Sequence, residues 1–161
     1  MTRSRPVEFG FTALDDGELL GTMATLQVDG TGWLNIEPVI DEEHQPDAPG
    51  PFAFLGGSTH LVPVVTWMPG RPQPGRAAKP TTVGLQHASG PHVAWRLRDL
   101  GRPVPEGWRI TQDHPRRGLV AAVPPDADNA AVIAWLLQAA TAVCQVEMTG
   151  RWTAAVHAGI A

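Results

Sequence analysis

"GWRITQDHPRRGLVAAV", residues 107–123, sets a strand-like run on each side of a short polar turn. GWRITQ and GLVAAV flank DHPRR, where Asp113 is a favoured turn residue and Pro115 presets the backbone. The stretch predicts a β-hairpin, and its tip gathers Asp113, His114, Arg116 and Arg117. On the N-terminal side, TTVGLQH (81–87) reads as a strand, with His87 in register with Val83 and Leu85. SGPHVAWRLRDLG (89–101) carries helix punctuation at both ends: Ser89 or Gly90 to cap, Pro91 in the first turn, Gly101 to stop. On the C-terminal side, PPDADN leads into a helix capped by Asp126 or Asp128, with Val132, Ile133, Leu136, Ala140 and Val143 on one face. GRWTAAVH (150–157) closes the chain as a strand.

Residues 81–161 therefore read β-α-β-β-α-β, the order of a ferredoxin-like unit: an antiparallel sheet with two helices on one face. The order alone implies no function. Ahead of it the reading is an antiparallel β-meander. Val7, Phe9, Phe11 and Ala13 alternate with polar or small residues, ELLGTMATLQ (18–27) follows the turn LDDGEL, and WLNIEPVI (33–40) follows the turn VDGTG. LVPVVTW (61–67) adds a strand after the turn GGSTH (56–60), which holds Ser58 and His60 but no nucleophile elbow. The segment 69–80, PGRPQPGRAAKP, is a proline-rich connector expected to run as extended polyproline-like backbone. The fold class is α+β in a single domain, 1–161: a β-rich part (6–68), the connector (69–80) and the β-α-β-β-α-β part (81–161).

Composition narrows the function classes. The net charge of −4 argues against nucleic-acid binding, which needs a basic footprint. Eleven of the twelve basic residues are arginine, which together with abundant Ala, Gly and Pro suggests a high-GC bacterial genome. A single cysteine, Cys144, excludes an internal disulfide and a thiolate metal cage. The acidic loop DEEHQPDAPG (41–50) matches no metal-ligand spacing, and neither do the histidines, so no metal or cofactor is expected. The start MTRSRPVEFG has no apolar run of a signal peptide, and the expected location is the cytoplasm. Ala130–Val146 is uncharged but interrupted by Gln138, Thr141 and Gln145, so a buried helix is expected there and no membrane span.

In the ferredoxin-like order the loop 87–92 and the hairpin tip 113–118 fall at one edge of the sheet. The loop opens a helix, whose free N–H groups and dipole favour an anion. Arg116 and Arg117 offer forked donors. Ser89, Gly90, Arg116 and Arg117 are thus candidate ligand-binding residues for an anionic small molecule. His87, Asp113 and His114 are the candidate catalytic residues of an acid–base enzyme, a hydrolase or isomerase, on side-chain type alone. Each has a plainer role: His87 as a buried core-edge residue, Asp113 as a turn acceptor, the arginines as solvated or paired to acids of the meander.

Trp95 lies almost opposite Val93, Leu97 and Leu100 on the first helix, and Trp135 falls outside the apolar face of the second. Two outward indoles need a cover, either residues 7–68 or another subunit. Trp95 and Trp135 are therefore candidate interface residues, and a slot between the meander and the helices is a candidate ligand site. The expectation is a non-catalytic binding protein for an anionic small molecule or a protein partner. The alternatives are a structural or regulatory subunit, associating through its helix faces, and the acid–base enzyme.

Overall fold

The computed structural model describes residues 5–45 and 61–159. GGSTH and the end of the acidic loop lie outside the described residues. The elements are β1 (Val7–Thr12), α1 (Gly17–Asp29), β2 (Trp33–Pro38), β3 (Val64–Met68), β4 (Arg71–Gln73), β5 (Arg76–Lys79), β6 (Thr81–Gln86), α2 (Val93–Asp99), β7 (Arg109–His114), β8 (Gly118–Val123), α3 (Asn129–Val143) and β9 (Arg151–His157). The architecture is α+β.

The expected middle strand of the meander is a helix. In α1, Leu19, Met23 and Leu26 are buried at spacings of four and three, the period of one helical face and not of a strand. Thr22 and Thr25, which favour strands by propensity, instead donate their hydroxyls to the carbonyls of Glu18 and Gly21 one turn back. Gly30 takes the left-handed conformation (φ 64°) and returns its N–H to Leu26, so VDGTG ends a helix and does not turn a hairpin.

Seven strands form one sheet in the order β1-β9-β2-β3-β6-β8-β7, with every neighbouring pair antiparallel. Two pairs of strands thus run in the same direction with another strand slotted between them. β9 separates β1 from β2, and β8 separates β6 from β7. The ferredoxin-like arrangement expected from the sequence is not formed. β3 already pairs with the free side of β6, and β2 with β3, so no position beside β6 remains for β9. Helix α3 must instead link β8 to β9 across β6, β3 and β2. That long crossing puts α3 over the middle of the sheet. Val132, Ile133, Leu136, Leu137, Ala139, Ala140 and Val143 are accordingly all buried.

The connector is also corrected: β4 and β5 pair as a two-stranded ribbon turning at Pro74 and Gly75. Extended backbone was legible in the proline content, but its pairing was not.

One core joins the three α-helices to the inner face of the sheet, where Leu34, Ile36, Val65, Trp67, Val83, Leu85, Leu119, Ala121, Trp152 and Ala154 point. Alternate residues on the other face, Asn35, Thr66, Thr82 and Gln86 among them, are half-exposed. One tight approach is at the start of β8. Gly118 has φ 82°, and a Cβ there would stand 2.5 Å from the Leu85 carbonyl oxygen. Gly118→Ala should combine backbone strain with displacement of β6, costing at least about 2 kcal/mol. Urea unfolding of the variant checks this through a lowered midpoint at unchanged slope.

Candidate functional site

The loop 87–92 and the hairpin tip lie at the same edge because β8 pairs with β6 on one side and β7 on the other. Leu119 stands opposite Leu85 in one ladder and opposite Asp113 in the next. Asp113 therefore shares the inner face with Leu85, at the edge where α2 begins. Its Oδ1 accepts the N–H of Val93 and its Oδ2 the N–H of Ala94, each at 3.1 Å. These amides open α2 and have no partner within the helix. His92, at the cap position, is left-handed (φ 58°) and supplies no side-chain cap. The carboxylate from β7 caps the helix in its place, with the helix dipole adding to the attraction.

The two histidines are bound up in the turns. His87 is buried on the face of Val83 and Leu85, and its Nδ1 accepts the Ser89 N–H at 3.1 Å. His114 Nδ1 accepts the N–H groups of Arg116 at 3.1 Å and Arg117 at 3.2 Å. With Nδ1 accepting, the proton of each neutral ring sits on Nε2. Gln112 Nε2 donates to the carbonyls of Arg117 (2.9 Å) and Gly118 (3.2 Å), closing the tip from its other side.

Arg116 and Arg117 are exposed, and among the described residues neither forms an ion pair. Ser89 and Gly90 are half-exposed; Arg96 Nη1 donates to the Ser89 carbonyl at 3.3 Å. So the two turns are neighbours, but no hydrogen bond among the described residues joins Arg116 or Arg117 to Ser89 or Gly90. The described part of the acidic loop includes a 3₁₀ turn, Glu42–His44, with His44 Nε2 3.0 Å from Glu147 Oε2. No group of three metal-ligating side chains occurs among the described residues.

The tryptophans divide. Trp135 is half-buried: its Nε1 donates to the Pro103 carbonyl at 2.7 Å, and Trp108 meets it edge-on at a centroid distance of 5.1 Å. The segment 103–108 thus contributes to its cover. Trp95 is 64% exposed and stacks on His92, at 5.3 Å.

Sequence reasoning missed a concavity beside α3. A groove of about 700 Å³ runs along the outer side of α3. Leu137 and Trp152 line it together with Met148, while Asp16 enters from the β1–α1 turn and Leu100 and Arg102 from the segment after α2. A signal was present in the charge-free stretch from Ala130 to Val146. Ala134, Gln138, Thr141 and Ala142 are exposed there without a charge among them, leaving a smooth outer face on a helix whose inner face fills the core.

Comparison of the chain with protein-family models, with curated proteins and with solved structures finds no match in any of the three.

Asp113→Ala should leave the first amides of α2 without partners. A charged acceptor at a helix start contributes about 2 kcal/mol, so the loss should appear in urea unfolding. Asp113→Asn, which keeps one acceptor oxygen, should lose less.

Proposed function

We propose that the chain is a non-catalytic binding protein whose ligand is an anionic small molecule with an apolar body, held in the groove along α3. The observation that carries this reading is the groove itself, a mostly apolar surface with Arg102 and Asp16 among its lining residues. Its volume is in the range of small-molecule sites, which are mostly apolar with a few polar groups to orient the ligand. Each candidate for acid–base work accepts main-chain N–H bonds: Asp113 from α2, His87 and His114 within their own turns. Those bonds hold the side chains in structural roles and give the enzyme reading no support.

A second reading keeps the anion at the hairpin tip. It is favoured by the way His114 fixes the backbone of Arg116 and Arg117 while both guanidiniums stay exposed. On this reading Ser89 and Gly90 flank the site, and the ligand is a compact anion, because the edge offers charge but no channel. The exposed Trp95 supports a protein partner on the helical side.

Thermal-shift titrations with octanoate, decanoate, citrate and dodecylamine separate these readings. The groove reading expects decanoate to raise the midpoint and to bind several-fold more tightly than octanoate. The upper bound is about fifteen-fold if both added methylenes bury fully, at about 0.8 kcal/mol each. Arg102→Ala should weaken decanoate about tenfold, and Arg116→Ala/Arg117→Ala should leave it unchanged. Stabilisation by citrate that is lost in the double arginine variant would favour the tip instead. Stabilisation by dodecylamine alone would point to Asp16 and contradict an anionic ligand.

A further inference from the structure

The ribbon β4–β5 is a sheet of its own, apart from the seven-stranded one. Its base is closed by the Gly70 N–H, which donates to Thr81 Oγ1 at 3.1 Å, and all of β5 is exposed. Residues 69–80 hold Arg71, Arg76 and Lys79 and no carboxylate. None of these three cations forms an ion pair among the described residues. The register of the ribbon gathers them. Arg71 stands opposite Lys79 and Gln73 opposite Arg76, and paired residues point to the same face. Arg71 and Gln73, two apart in one strand, share that face as well. Arg76 and Lys79 are three apart and would point to opposite faces of a regular strand. The register shift between the two pairs puts an extra residue in β5 and brings both cations back to one side. Three cations and an amide thus share a face. The ribbon's edges suit pairing poorly, since Pro72 has no N–H and β5 carries the bulge.

We propose that this face of the ribbon docks an acidic segment of a partner protein, an extended stretch with Asp or Glu at alternate positions. Charge complementarity identifies the occupant. Arginine, lysine and glutamine all donate to carboxylates, and arginine clusters recognise acidic motifs. Side chains two apart in an extended segment repeat about every 7 Å on one side, the same spacing that separates Arg71 from Gln73 along β4. A protein segment fits better than nucleic acid for two reasons. The net charge of −4 includes these three cations, so the rest of the chain is more acidic than that figure and repels a long polyanion. Residues 69–80 also contain no aromatic side chain on which a base could stack. The contact is made by exposed charges, so it is weak and sensitive to salt. It is separate from the groove, the hairpin tip and Trp95.

Fluorescence anisotropy with a labelled Glu-Ser repeat peptide tests the proposal on the full chain. The parent should bind the peptide at low salt and release it progressively as salt is added. Arg76→Gln/Lys79→Gln should weaken binding about tenfold, the sum expected of two exposed charge contacts. Both positions are exposed, so the variant should fold, and its circular dichroism should match that of the parent. Adding Arg71→Gln should weaken binding further, whereas Arg116→Ala/Arg117→Ala should leave it unchanged. An oligothymidylate of equal charge should bind less tightly than the peptide. Absence of peptide binding at low salt, or binding that survives Arg76→Gln/Lys79→Gln, would overturn the proposal. So would an oligothymidylate that binds more tightly than the peptide and is lost in the same variant, since the face would then be a phosphate surface.

Discussion

A carboxylate on the edge strand β7 reaches across to the first two amides of α2, and that end of the molecule is organised around the contact. Helix α2 has seven residues, too few to be stable by its own hydrogen bonds. Val93 and Leu97 pin one side of it to the core. Asp113 fixes its start, and through that start the loop 87–92 is held against the hairpin. Around this bond the polar groups are arranged in sequence. His87 closes the loop, His114 closes the tip, and Arg96 ties the helix back to Ser89. An edge that displays acid, imidazole and guanidinium in the sequence is, in the folded chain, largely a set of internal hydrogen bonds.

The larger frame follows from a competition for β6. The ribbon β4–β5 links β3 and β6 closely in sequence, and the hairpin brings β8 to the other side. With both sides of β6 taken, α3 has to traverse three strands. That traverse makes α3 the central helix of the layer. Its inner side completes the core, and its uncharged outer side forms part of the groove. The proposed binding surface is thus a by-product of how the strands are ordered.

What the sequence made legible was local. Gly101 ends α2, Asp128 caps α3 by accepting the Ala131 N–H, and the hairpin 107–123 appears where its turn residues put it. But α2 begins later than expected, at Val93, with His92 and not Ser89 or Gly90 at the cap position and Pro91 ahead of the helix. Element identity failed at α1, because Gly21, Thr22 and Thr25 obscure a helical period carried by only three buried residues. The role of Asp113 was out of reach for a different reason. Its partners lie 19 and 20 residues away, so only the tertiary fold distinguishes a helix cap from a turn acceptor. Sheet order was equally non-local: nothing within GRWTAAVH says that it will slip between β1 and β2. The groove needed all of these placements at once.

The central claim is that the start of α2 is already occupied by an internal anion. Amide chemical shifts followed during a sulfate titration test it most directly, with the parent chain and Asp113→Ala compared side by side. The account predicts that the Val93 and Ala94 resonances of the parent stay in place while those of Asp113→Ala move and saturate. Movement of the same two resonances in the parent, with saturation at comparable sulfate, would mean that the helix start is open to ligands and would contradict the account.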